Sequence, residues 1–182
     1  YSYKKVPDLL IVRLRIIMDP GRDCGARQCC TGISHVPERG KDVMRDAVTT
    51  IGKLTDRQSV VFISSVDEDG FPNTKAMLAP RKREGIKVFY FHTNTSSMRV
   101  RQYKSNPQAC IYFCDKRFYR GAMLTGTMEV LEDAEVKKML WQEGDTMYYP
   151  LGVTDPDYCV LRFTAVKGRF YSNFHSEDFE IE

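Results

Sequence analysis

From Ser59 onward the chain is a succession of short β-branched and aromatic runs, each stopped by a turn, and that rhythm allows few folds. Ser59 to Val66 ends in Asp67-Glu68-Asp69-Gly70, a turn with a glycine at its close. Asn73 to Ala79 returns as a strand, Pro80 to Gly85 reads as a charged turn, and Ile86 to His92 is the next strand. Gln108 to Cys114, Gly121 to Leu131, Tyr158 to Val166 and Arg169 to Phe174 follow, giving about seven strands. Three segments carry helical spacing or helix signals. They are 42 to 55, where Val43, Ala47, Ile51 and Leu54 recur, a short stretch over about 96 to 105, and Ala134 to Glu143 before the Pro/Gly/Asp loop from Tyr149 to Asp157. The expectation is a mainly β fold with helices (α+β), an antiparallel barrel of six to seven strands whose gaps the helices plug.

Charge separates the chain into two parts. The net charge is +3, yet residues 1 to 41 carry +4 and residues 42 to 182 carry −1. The main part has no basic excess, which argues against a nucleic-acid partner. The first segment has scattered charge, three of the six cysteines and no sustained period. Residues 1–41 therefore read as an atypical extension, non-native or disordered, ahead of a domain spanning 42–182. Leu9 to Ile17 is the longest apolar stretch, and Arg13 and Arg15 interrupt it, so neither a membrane span nor a clean secretion signal is expected. Cys110, Cys114 and Cys159 sit in apolar runs and read as free thiols in a reducing cytoplasm.

Val88 to Thr93 runs directly into Asn94-Thr95-Ser96-Ser97-Met98-Arg99, then a helix closing at Asn106-Pro107. A helix start offers free N–H groups and the positive end of its dipole. Thr93, Ser96 and Ser97 add hydroxyls and Arg99 a guanidinium fork, a set that suits a phosphate monoester. The same residues also read as an ordinary helix capped by Thr95 or Ser96. Lys75, mid-strand, faces solvent on simple alternation; facing inward, it would need an anion. Arg81-Lys82-Arg83 reads as a solvated hairpin end, and Asp145, Asp155, Asp157, Glu177 and Asp178 as loop carboxylates. Cys110 and Cys114 lack a second Cys/His pair at metal spacing, so no zinc site is expected. Cys24, Cys29, Cys30 and His35 form only a loose metal-like cluster. His92 and His175 are isolated, no side chain presents itself as an obligatory acid or base, and neither a Walker loop nor a dinucleotide glycine fingerprint occurs.

The ordered set carries a resemblance: Val60-Val61-Phe62-Ile63-Ser64-Ser65-Val66, Asp69-Gly70-Phe71-Pro72, Lys75-Ala76-Met77, Phe89-Tyr90-Phe91-His92-Thr93, Ser97-Met98-Arg99, Asn106-Pro107, Gly126-Thr127-Met128-Glu129-Val130 and Gly152-Val153-Thr154-Asp155-Pro156-Asp157. Residues 44 to 182 resemble the FMN-binding split-barrel superfamily, and within it the pyridoxamine 5'-phosphate oxidase-related, general stress protein branch. The resemblance implies FMN in a cleft between two subunits of a homodimer. Lys75 would stand beside the flavin ring and phosphate, with Ala76 and Met77 offering backbone contacts to the isoalloxazine edge. Phe91 and Thr93 lie at the strand end, Ser97 and Arg99 fall where Ser and Lys grip the phosphate, and Tyr171 falls near an aromatic residue against the flavin. Met98 stands where a second basic or small residue is common, Arg99 replaces a lysine, and Pro80 stands near a further lysine of the true oxidases. Their C-terminal Arg-and-His substrate motif is not recognisable. The implied function is a cytoplasmic FMN flavoprotein, an oxidoreductase acting on a small molecule with NAD(P)H as a candidate donor. The alternatives are an FMN-binding stress protein without turnover, or a haem or deazaflavin binder, for which His92 and His175 are the candidate axial ligands.

Overall fold

The computed structural model describes residues 49–117, 119–172 and 175–182. The 1–41 extension and its Cys24, Cys29, Cys30 and His35 lie outside the described residues, as does the start of the first expected helix. The described part of that helix, α1, covers 49–57 and buries Ile51 and Leu54.

The strands are β1 (Val60–Val66), β2 (Pro72–Leu78), β3 (Lys82–Glu84), β4 (Val88–Asn94), β5 (Gln108–Asp115), β6 (Arg120–Leu131), β7 (Tyr158–Ser172) and β8 (His175–Glu180). The helices α2 (Met98–Ser105) and α3 (Ala134–Leu140) follow β4 and β6, and two 3₁₀ turns, Glu143–Met147 and Gly152–Thr154, lead into β7. All pairings are antiparallel, in the order β2-β1-β5-β6-β7-β4-β3, with β8 added to β7. The sheet curls without closing. β2 ends it on one side and β3–β4 on the other, and the seam between them makes this a split barrel.

Eight strands stand among the described residues, against the seven expected. The expected break at Lys167-Gly168 is absent, and β7 runs through it. Gly168 is there for space, not for a turn: a Cβ on it would sit 2.3 Å from the Phe179 ring of β8. The charged turn at 80–85 contains β3, and β8 has only Phe179 buried. Both are edge elements whose charged residues face water.

The barrel core gathers Val61, Ile63, Phe89, Phe91, Ile111, Phe113, Leu124, Met128, Leu161 and Phe163. A second cluster, Tyr90, Leu140, Tyr149, Tyr158 and Val160 with Trp141, packs α3 and the 3₁₀ turns on the outside of β4 and β7. β4 is therefore covered on both faces. That accounts for its unbroken Val-Phe-Tyr-Phe run, which does not alternate as a half-exposed strand would. At the Thr125/Gly126 bulge, β6 lies against β7 so closely that a Cβ on Gly126 would meet the Thr164 carbonyl oxygen at 1.9 Å.

Candidate functional site

The seam opens into a cleft of about 320 Å³ lined by Lys75–Ala79 of β2 and its following residue, Phe91–Asn94 of β4, Arg99 of α2, and Tyr148 and Tyr149. Its floor is β4, its near rim the free edge of β2, and its far wall the segment after the first 3₁₀ turn.

The near rim is a backbone surface. Ala79 N donates to Ser59 O and Asp67 N to Phe71 O, which fixes the odd-numbered residues of β2 as those bonded to β1. By antiparallel alternation the peptide groups of Ala76 and Leu78 point away from β1, toward the seam. Met77 directs its peptide to Val61 and its side chain partly into the core. Lys75 shares the sheet face of Met77 and is exposed, so its ammonium stands in solvent inside the cleft. The solvent-facing and cleft-facing readings of Lys75 thus coincide.

At one end of the cleft, β4 passes into α2. Ser97 is the N-cap, but its side chain caps nothing; its Oγ is buried without a hydrogen bond. The loop is held instead by Asp157, whose carboxylate accepts from Ser96 N at 2.8 Å and Asn94 Nδ2 at 2.7 Å. Asp157 is thus a structural anchor of the loop, and those two bonds hold its carboxyl below the ordinary range. Arg99 is buried, 9% exposed, and donates from one terminal nitrogen to Thr93 Oγ1 at 3.1 Å. Its Nε is buried with no acceptor, and burial lowers its pKa. Burying a guanidinium without an anion costs several kcal/mol, of the order found when one partner of a buried pair is removed. Thr95 Oγ1 also lacks a hydrogen bond of normal geometry, although it neighbours the Cys159 thiol. Neither Thr95 nor Ser96 caps α2; Ser97 holds that position, without a side-chain bond.

The other end is built differently. Arg81, expected in a solvated hairpin, is largely buried and forms a 2.5 Å ion pair with Asp145, whose side chain is 3% exposed. Asp145, expected in a loop facing solvent, also accepts from Gln142 N at 3.0 Å. Arg81 contacts His92 Nε2 at 3.1 Å, and His92 lines the cleft with Tyr149 beside it. Spacing gave no sign of this trio, because 64 residues separate Arg81 from Asp145.

Of the expected site residues, Lys75, Ala76, Met77, Phe91, Thr93 and Arg99 line one cleft. Ser97 adjoins it at the helix start. Met98 points elsewhere: it is half exposed and lines a separate depression with Asp67 and Arg101. Tyr171 lies twelve residues along β7 from Cys159, about 40 Å at strand spacing, with its ring 6.4 Å from that of Tyr112. Register places Leu78, Val60, Phe62, Tyr112, Met123 and Tyr171 on one sheet face, Phe62, Tyr112 and Met123 directly opposite one another and Leu78–Val60 and Tyr171 two residues further along their strands. His175, on β8, lies at that same far end. Among the described residues no group of three metal-binding side chains occurs, and no helix is long and apolar enough to cross a membrane.

A family model of pyridoxamine 5'-phosphate oxidase matches residues 48–172. Two curated relatives named pyridoxine/pyridoxamine 5'-phosphate oxidase align with shorter stretches. One, from Caulobacter vibrioides, is 33% identical over 73 residues, 40% of this chain and 32% of that protein. The other, from Escherichia fergusonii, is 36% identical over 86 residues, 47% of this chain and 38% of that protein. The matches span about a third of the length of those relatives. A solved structure from Clostridium acetobutylicum, described as related to general stress protein 26 and of the pyridoxinephosphate oxidase family, is 40% identical. It has a TM-score of 0.69, over 75% of this chain and 95% of that one. A haem binding protein from Mycobacterium smegmatis shares the fold at 14% identity and TM-score 0.57, over 70% of this chain and 55% of that one. Seam, register and matched residues agree, and the chain belongs to the pyridoxamine 5'-phosphate oxidase family, within the split-barrel FMN-binding superfamily.

Proposed function

We propose that the protein binds FMN in the seam and serves as an oxidoreductase toward a small molecule. The observation that carries this reading is Arg99: a buried guanidinium with an unused Nε, two residues along α2 from Ser97, whose buried hydroxyl at the helix start is also unused. These donors fit a phosphate monoester, each charge-assisted bond contributing about 1.5–3 kcal/mol. Arg99, Ser97 and Thr93 would hold the phosphate. The outward peptide groups of Ala76 and Leu78 would pair with the polar edge of the flavin ring. Lys75 would stabilise negative charge on that edge, a preorganised electrostatic effect. Phe91 and Tyr149 would shield the ring from water. When bound, FMN supplies the redox chemistry, and the chain supplies position and charge.

A homodimer would pair through the outer face that carries Leu78, Val60, Phe62, Tyr112, Met123 and Tyr171. Leu78, Val60 and Phe62 are 57%, 42% and 41% exposed, an apolar strip that a second copy would cover. Such a pairing is also what would carry Tyr171 toward a neighbouring cleft. The free thiols Cys110, Cys114 and Cys159 suit a reducing cytoplasm. NAD(P)H is the electron donor to try first. No observation favours the haem alternative: His92 uses Nε2 on Arg81 and buries Nδ1, and His175 lies away from the cleft.

The test is a visible absorption spectrum after incubation with excess FMN and desalting. About one retained flavin per subunit supports the reading, and loss of all flavin overturns it.

A further inference from the structure

Arg81 sits on the connection from β2 to β3, and its guanidinium reaches two other elements. It donates to Asp145 Oδ1 on the first 3₁₀ turn and to the side chain of Gln142 at that turn's N-cap, and it meets His92 Nε2 on β4. A guanidinium has donors only. The contact at 3.1 Å therefore makes Nε2 an acceptor, and a neutral ring must then carry its proton on Nδ1. A second proton would have to enter at Nε2, against a cation. Nδ1 is buried without a partner, with the rings of Tyr149 and Tyr158 at 6.1 and 6.3 Å.

We propose that Arg81 is a positioning residue: with Asp145 as its counter-ion it holds His92 as a neutral imidazole on the cleft wall. Through the same bonds it ties the Glu143–Met147 turn, and with it Tyr148 and Tyr149, to that wall. The cleft then has a cationic end at Arg99 and an uncharged aromatic end at His92, which orients a ligand carrying an anion on one side and a planar ring on the other. The titratable and charged groups facing His92 are Arg81, Asp145, Tyr149 and Tyr158. Burial pushes the phenol of Tyr158 up to about 12 and that of Tyr149 higher still, so both remain neutral. Burial, then Arg81, lowers the His92 pKa, and Asp145 opposes them. The orienting role rests on the cleft being the ligand site proposed above; the tautomer does not.

The experiment is histidine-selective NMR on the full chain, which has three histidines, His35, His92 and His175. His92→Phe identifies the signal. In the wild type, carbon and nitrogen shifts should report the Nδ1–H tautomer and a midpoint below 6.5. Arg81→Met should raise that midpoint, since it removes the repelling cation and leaves the carboxylate. Asp145→Asn should lower it, since it leaves the cation uncompensated. An Nε2–H tautomer in the wild type, or both variants moving the midpoint the same way, would overturn the proposal. If circular dichroism shows either variant unfolded, the wild-type tautomer decides alone. FMN titration then separates the two readings. A folded Arg81→Met chain that binds FMN as tightly as wild type overturns the positioning role. Failure of the wild type to bind FMN overturns the cofactor reading, and the tautomer still decides the lock.

Discussion

The two ends of the cleft each bury an arginine, and they do so on opposite terms. Arg81 is neutralised inside the chain, by Asp145 at 2.5 Å. Arg99 has a threonine hydroxyl at 3.1 Å and no carboxylate, with Nε left over. A buried cation with an internal counter-ion is compensated within the chain, and removing that partner is costly; one without carries a desolvation cost that a bound anion would offset. Burial alone would have ranked the two residues together. What tells them apart is where the compensating charge comes from.

The contrast can be broken most decisively at Asp145. Asp145→Ala strands the Arg81 charge and should destabilise the fold by about 3–5 kcal/mol. Thermal unfolding should fall by roughly 6 °C or more; a shift under about 2 °C would mean that water already compensates Arg81. Arg99→Ala should do the reverse. Without ligand its melting temperature should match or exceed wild type, while calorimetric FMN affinity drops at least tenfold, near 1.4 kcal/mol. Unchanged affinity would remove the phosphate assignment. Lys75→Met sharpens the picture at the exposed rim. It should lower the potential of bound flavin by an amount worth about 1 kcal/mol or less, because a solvated ammonium is strongly screened. An unmoved potential would place Lys75 off the ring. The smallest effect concerns pH. His92 has a folded pKa below its unfolded value near 6.5, so the unfolded chain binds the proton more readily. Its contribution is complete above about 6.5 and should be lost as pH falls toward the depressed folded value. Denaturant titrations of wild type and His92→Phe should diverge only below that point.

Much of the frame was legible in order along the chain. The hydroxyl-rich turn before α2 and the Lys75-Ala76-Met77 rim are local motifs, and local motifs survive in a one-dimensional reading. What escaped depends on pairing at a distance. Arg81 looked like a surface charge because its partner lies 64 residues on, across α3. β8 and β3 were hidden by charge, since an edge strand buries too little to leave an alternating pattern. Gly168 looked like a break because close approach and turning both call for the same residue. In β2, the residue that offers its peptide to the seam beside Ala76 is Leu78, not Met77. That parity is set by the hydrogen bonds to β1, and composition carries no trace of it.

The strand covered on both faces has a last consequence, for how such a site can diversify. Any change of volume in β4 is felt at once in the barrel interior and beneath Tyr149, two packed regions with no slack. The outward side chains at Ala76 and Leu78 of β2, and Met147 and Tyr148 at the end of the first 3₁₀ turn, are exposed and lie outside both packed regions. New ligand preferences should therefore be written at the margins of the cleft, while its back wall stays fixed. A mutational library aimed at altered selectivity belongs on those margins.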